Sequence, residues 1–187
     1  MKISKILLSV AVAFSLGNAI TLTPDDEAMI NDNKKIISEL KNINSDSEIF
    51  NRTISGVIKA KEEMIKLKLE SKGEDYVERG ISMLSKESND AFMFGIREAL
   101  EKRDIVGFEA LIKGYMSLSS NPDENYTYSD EFLDIMIQNK DIQAFKILKN
   151  LNFDKFEVIG SETTDSTDFI QYLNRQKADK EILKIFK

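Results

Sequence analysis

Residues 96–111 recur 37 residues later as 133–148. The run Ile96-Arg97-Glu98-Ala99-Leu100, then Asp104-Ile105, Phe108 and Leu111, becomes Leu133-Asp134-Ile135-Met136-Ile137, then Asp141-Ile142, Phe145 and Leu148. Asp104, Ile105, Phe108 and Leu111 are matched by identical residues, and Arg103 is matched by Lys140. A fainter third copy puts Ile170 and Leu173 in a first helix and Ile182 and Ile185 in a second. Each copy reads as helix, tight polar turn, helix, with polar stretches at 117–130 and 154–168 between copies. Fixed-period self-similarity marks stacked units, each too small to bury its apolar face alone. The pattern predicts that Phe108 and Phe145 occupy equivalent buried positions.

The rest of the chain also reads as helix. Proline occurs only at Pro24 and Pro122, glycine is sparse, and Lys, Glu, Leu and Ile dominate. No window alternates apolar and polar residues for long, so no sheet is expected. Thr23 is placed to cap a first helix, with Pro24 at its first position and Asp25, Asp26 and Glu27 at the positive end of its dipole. A second helix is expected from Asp46 or Ser47, with Phe50, Ile54, Val57, Ile58, Met64, Ile65 and Leu69 on its apolar stripe, ending at Ser71-Lys72-Gly73. A third, short helix carries Tyr76, Val77, Ile81 and Leu84 and closes over 85–89. The expected architecture is all-α: an N-terminal helical region at 20–89 followed by stacked helix-turn-helix units at 90–187.

The stretch from Leu133 to Leu148 resembles the helix pair of the ankyrin repeat, in a degenerate form, and the resemblance covers about 90–187. Asn152-Phe153-Asp154 is similar to that family's Gly-Ala-Asp exit into the hairpin loop, and Gly114 stands near the corresponding place in the earlier copy. The family's Thr-Pro-Leu-His opening is replaced by Glu131-Phe132-Leu133-Asp134, and its turn glycine by Arg103 and Lys140. The period of 37 exceeds the family's 33, which implies longer connecting loops. A generic array of helical hairpins fits the same pattern. The resemblance implies a protein-binding surface of loop tips and a concave helix face.

The N-terminus reads as a secretory signal over residues 1–19. Lys2 and Lys5 are basic, Ile6 to Leu16 is an apolar run, and Gly17-Asn18-Ala19 supplies small residues before a cut at Ile20. The run is shorter than the ~20 residues a bilayer span needs. Losing the two lysines leaves 26 − 2 = 24 basic residues against 32 acidic ones, a net charge of −8. That balance argues against binding nucleic acid, whose phosphates it repels, and against binding anionic lipid by charge. No membrane span is expected after signal removal, and the expected location is periplasmic or secreted. The Lys-, Ile- and Asn-rich composition points to a bacterial source.

The chain has no His and no Cys. Imidazole bases, thiol nucleophiles and the usual zinc ligands are therefore missing, and no Gly-rich phosphate loop occurs. No cofactor, metal site or catalytic residue is expected. Asp123-Glu124-Asn125-Tyr126-Thr127 makes Asn125 a candidate glycosylation acceptor, with an acid two residues upstream; Asn51-Arg52-Thr53 fits the shorter pattern. Tyr115, Tyr126 and Tyr128 are the candidate partner anchors, because tyrosine near polar loops suits a half-exposed interface. Packing between units is their alternative role. The expected function is an exported, non-enzymatic protein-interaction module with an unidentified protein partner, such as an immunity, inhibitor or protective binding protein. A surface protein that self-associates through its N-terminal helices is the alternative, and a carboxylate-dependent hydrolase stands behind both.

Overall fold

The computed structural model describes residues 22–70, 74–118, 127–129, 131–159 and 166–187. The signal segment, the Ser71-Lys72-Gly73 terminator, Asn125 and Tyr126 lie outside them. Among the described residues the chain is predominantly helical, with eight α-helices.

Helix α1, Pro24–Asn42, starts as the sequence predicts. The Asp26 N–H donates to Thr23 Oγ1 (3.2 Å) and the Thr23 N–H donates to Asp26 Oδ2 (3.0 Å), a reciprocal capping box. Helix α2, Glu48–Glu70, follows directly after Ser47, whose Oγ accepts from the Phe50 N–H at 3.1 Å. Ile54, Val57 and Met64 are buried as expected, whereas Leu69 is half exposed.

The third helix departs from expectation. Helix α3, Glu74–Glu101, runs 28 residues without a break through 85–89. Ser85-Lys86-Glu87-Ser88-Asn89 contains neither Gly nor Pro, so nothing forces a turn. Ser88 Oγ donates to the Leu84 carbonyl one turn back (2.8 Å), so the hydroxyl is satisfied inside the helix rather than ending it. Tyr76, expected on the apolar stripe of this helix, is 71% exposed.

The remaining helices come in pairs. Helix α4, Ile105–Met116, turns back from the end of α3; α5, Glu131–Gln138, is followed by α6, Ile142–Asn150; and α7, Phe169–Arg175, by α8, Lys180–Ile185. Helix α5 packs on α3, α6 on α4, and α8 on α6, while α2 covers α3 and α4 and α1 covers α2. Gly114, expected near an exit loop, instead lies inside α4. A Cβ there would stand 3.0 Å from Phe92 and 3.2 Å from Leu40, so glycine lets α4 sit close under both.

A small sheet joins the pairs, contrary to the expectation of none. Strands β1 (Thr127–Ser129), β2 (Glu157–Ile159) and β3 (Ser166–Asp168) lie in the order β1-β2-β3, with β1 parallel to β2 and β2 antiparallel to β3. Three residues per strand are too few to register as an alternating pattern. A single apolar core runs from Ile36 on α1 to Ile182 on α8. Phe92, Phe108, Phe132, Phe145, Phe153 and Phe169 are its largest fully buried side chains. Phe153 is its aromatic centre, edge-on to Phe132, Phe156 and Phe169 at centroid distances of 5.8, 5.9 and 5.9 Å.

Candidate functional site

The turns between paired helices share one backbone design. In the first, Arg103 N–H donates to the Leu100 carbonyl (3.2 Å) and Asp104 N–H to the Ala99 carbonyl (2.8 Å). In the second, Lys140 N–H donates to Ile137 (3.1 Å) and Asp141 N–H to Met136 (2.9 Å); in the third, Lys177 N–H donates to Asn174 (3.1 Å) and Ala178 N–H to Leu173 (3.0 Å). Arg103, Lys140 and Lys177 have φ of 55°, 49° and 55°. A side chain at positive φ is unfavourable, so the tertiary packing of each pair holds these residues there.

An aspartate after the turn then starts the next helix. Asp104 Oδ1 accepts from the Gly107 N–H (2.8 Å), and Asp141 Oδ1 accepts from the Ala144 N–H (3.0 Å). In the third turn the cap moves one residue on, to Asp179, which accepts from the Glu181 N–H at 3.0 Å. That hydrogen bond, and then Lys140 Nζ at 3.0 Å, hold the Asp179 carboxyl below its ordinary range. Lys140 thus ties the second turn to the third. Asp104 also reaches outside its own hairpin. Its Oδ2 accepts from Ser47 Oγ, which brings the N-termini of α2 and α4 together.

Between the first two turns lies a cleft of about 520 Å³, with Glu101, Arg103, Asn139, Lys140 and Gln143 among its lining residues. Of the two capping aspartates, Asp141 lines it, with its Oδ1 taken by the Ala144 N–H. Among the described residues no group of three or more Asp and Glu is placed to hold a metal ion. None of their helices is long and apolar enough to cross a membrane.

The expected anchors do not form one described patch. Tyr115 is half-buried on α4, its ring 5.9 Å from that of Phe92. Tyr128 is in β1, paired with Val158, while Tyr126 and Asn125 lie outside the described residues. Asn51 is helical on α2 and its Nδ2 donates to the Ser45 carbonyl (3.2 Å), while Thr53 is buried. Sequence reasoning misses the exposed face of α3, where Met83 and Phe94 join Tyr76 in solvent at 64% and 70% exposure. Its signal is present in the spacing: the three residues recur on one line of a helix, opposite the stripe of Val77, Phe92 and Ala99.

No protein-family model, no curated protein and no solved structure matches this chain.

Proposed function

We propose that the chain is an exported, non-enzymatic protein-binding module built from three ankyrin-like helical hairpins. One observation carries the hairpin reading. Among the described residues, the non-glycine residues with positive φ are Arg103, Lys140, Asn152 and Lys177. Arg103 and Lys140 stand where the ankyrin resemblance puts the turn glycine, and Asn152 where it puts the exit glycine. Lys177 completes the series, since 140 − 103 and 177 − 140 are both 37. A backbone that favours glycine at those positions, yet carries other residues there, supports a common design whose sequence has drifted. Like-on-like helix stacking, α3 with α5, α4 with α6 and α6 with α8, supports it too.

Stacked hairpins present an extended surface that binds proteins through loop tips and the concave helix face. In this chain the connecting segments that carry Tyr126 and Tyr128 are the binding tips. The absence of His and Cys, which removes imidazole bases and thiol nucleophiles, supports a binding role over a hydrolytic one. The leader at 1–19 directs the module out of the cytoplasm, and a periplasmic immunity, inhibitor or protective protein is the class it fits.

Two measurements on the expressed chain test this reading. Mass spectrometry of protein from the envelope fraction should find an N-terminus at Ile20; full-length protein confined to the cytoplasm contradicts export. Envelope proteins captured on the purified chain should be lost from a Tyr126→Ala/Tyr128→Ala variant that keeps its helical circular dichroism. An unchanged set of captured proteins contradicts the loop-tip site.

A further inference from the structure

Helix α3 turns a row of large apolar side chains, Tyr76, Met83 and Phe94, to solvent. Tyr76 and Phe94 are 18 residues apart, about five turns, so they point the same way; Met83 lies within about 20° of the same line. All three are mostly in solvent. Large apolar side chains in such a row, on a chain with a net charge of −6, are not what a face exposed only to water needs.

The charges beside this row have a pattern. Arg79, Asp90 and Arg97 lie along one flank, and Asp75 at its start. None of these four makes an ion pair among the described residues, whereas Glu98 on another side of the same helix pairs with both Arg52 and Lys102. Consider a twofold axis crossing α3 at the level of Ser85, with a second α3 antiparallel to the first. Tyr76 then stands at the height of Phe94 of the second copy. Arg79 stands within one residue of Asp90, and Asp75 within two residues of Arg97. In an antiparallel helix pair each flank meets the same flank of its partner, so these charges come together as opposites. The two Met83 side chains meet beside the axis. Lys86, nearest the axis on that flank, meets Lys86 of the second copy, the one like-charge contact in this register.

We propose that the chain forms an antiparallel homodimer through this face of α3, with Tyr76–Phe94 contacts at both ends and Arg79–Asp90 ion pairs between them. Arg79 with Asp90 and Asp75 with Arg97 make this flank complementary to itself everywhere but at Lys86, the kind of match a twofold interface uses. One helix pair about 27 Å long between its aromatic ends makes a modest interface, so association in the micromolar range is expected.

Sedimentation equilibrium of the purified chain beginning at Ile20, from about 5 to roughly 500 µM, provides the test across the range where modest interfaces assemble. The expected result is a concentration-dependent rise toward twice the mass of that chain. Phe94→Glu changes a solvent-exposed residue, so it should leave the circular dichroism melt intact and weaken association at least tenfold. Arg79→Glu alone should also weaken it, and Arg79→Glu with Asp90→Arg should restore it, because the double change reverses both ends of each pair. A monomer throughout the range overturns the proposal and leaves the face to another protein. A dimer indifferent to Phe94→Glu overturns it as well, and failure of the charge swap to rescue overturns the antiparallel register.

Discussion

Ser47 Oγ donates a hydrogen bond to the carboxylate of Asp104, 57 residues further along, directly over the Cα of Gly107. Three local choices meet there. Ser47 caps α2 by accepting from Phe50, Asp104 caps α4 by accepting from Gly107, and glycine leaves the space through which the two caps join. A methyl group on residue 107 would collide with both Ser47 Oγ and the Asp104 carboxylate.

Gly107→Ala is therefore expected to destabilise the fold by about 1–3 kcal/mol, since overpacking here also breaks a buried hydrogen bond. The control is Gly56→Ala. Gly56 is exposed in the middle of α2, with nothing within 4 Å of a new Cβ, so the same chemical change should stabilise by about 0.5–1 kcal/mol. Urea melts of both variants measure the contrast; a Gly107→Ala protein as stable as the wild type contradicts the joint.

This joint also marks what the sequence can and cannot convey. The Thr23 cap is legible because a helix start is a local signal, whereas Asp104 and Asp141 show in the sequence only as a matched pair and as caps only in the structure. The 37-residue shift pairs Phe108 with Phe145, and both are fully buried. The link from Ser47 to Asp104 is not legible, because no local rule pairs two caps so far apart. The polar run at 85–89 imitates a terminator: without Gly or Pro, a solvated helix face and a turn look alike. Residue type alone puts Tyr76 in the core, although its position on α3 faces away from Val77 and Phe92. The strands escape notice because each is only three residues long.

Lys61 offers a second test. It sits on α2 with only 8% of its surface exposed, between the buried Val57 and Met64, and burial lowers its pKa from 10.5. The folded protein then binds its proton less tightly than the unfolded chain. The cost of burying the charge is thus fully present below the folded pKa and fades as pH climbs from there toward 10.5. Lys61→Met should raise the melting temperature, with a gain that shrinks as pH approaches 10.5. A gain that does not change with pH would mean the ammonium reaches water.

At the opposite end of the pH scale, Asp26 clasps α1 to α2. Lys68 Nζ lies 2.6 Å from its carboxylate, and with the Thr23 N–H it holds the pKa down to about 2 from 3.8. A depressed carboxyl pKa contributes stability that is complete above 3.8 and is lost as pH falls through about 2. Thermal melts between about pH 2 and pH 5 should show the wild type converging on Asp26→Asn at the acid end. Parallel curves would show that the clasp contributes nothing.

The equivalence of the hairpins is the central claim, and Phe108 and Phe145 test it most directly. Both are fully buried on the second helix of their pair, 145 − 108 = 37 residues apart. Phe145 also meets the ring of Phe186 edge-on at 6.2 Å. Truncating a buried phenylalanine costs about 3–5 kcal/mol. Denaturant melts of Phe108→Ala and Phe145→Ala should therefore show large losses that agree within about 1 kcal/mol, against a near-neutral Phe94→Ala, whose ring is in solvent. A near-wild-type melt for either core variant, or losses that differ severalfold, would contradict a common hairpin design.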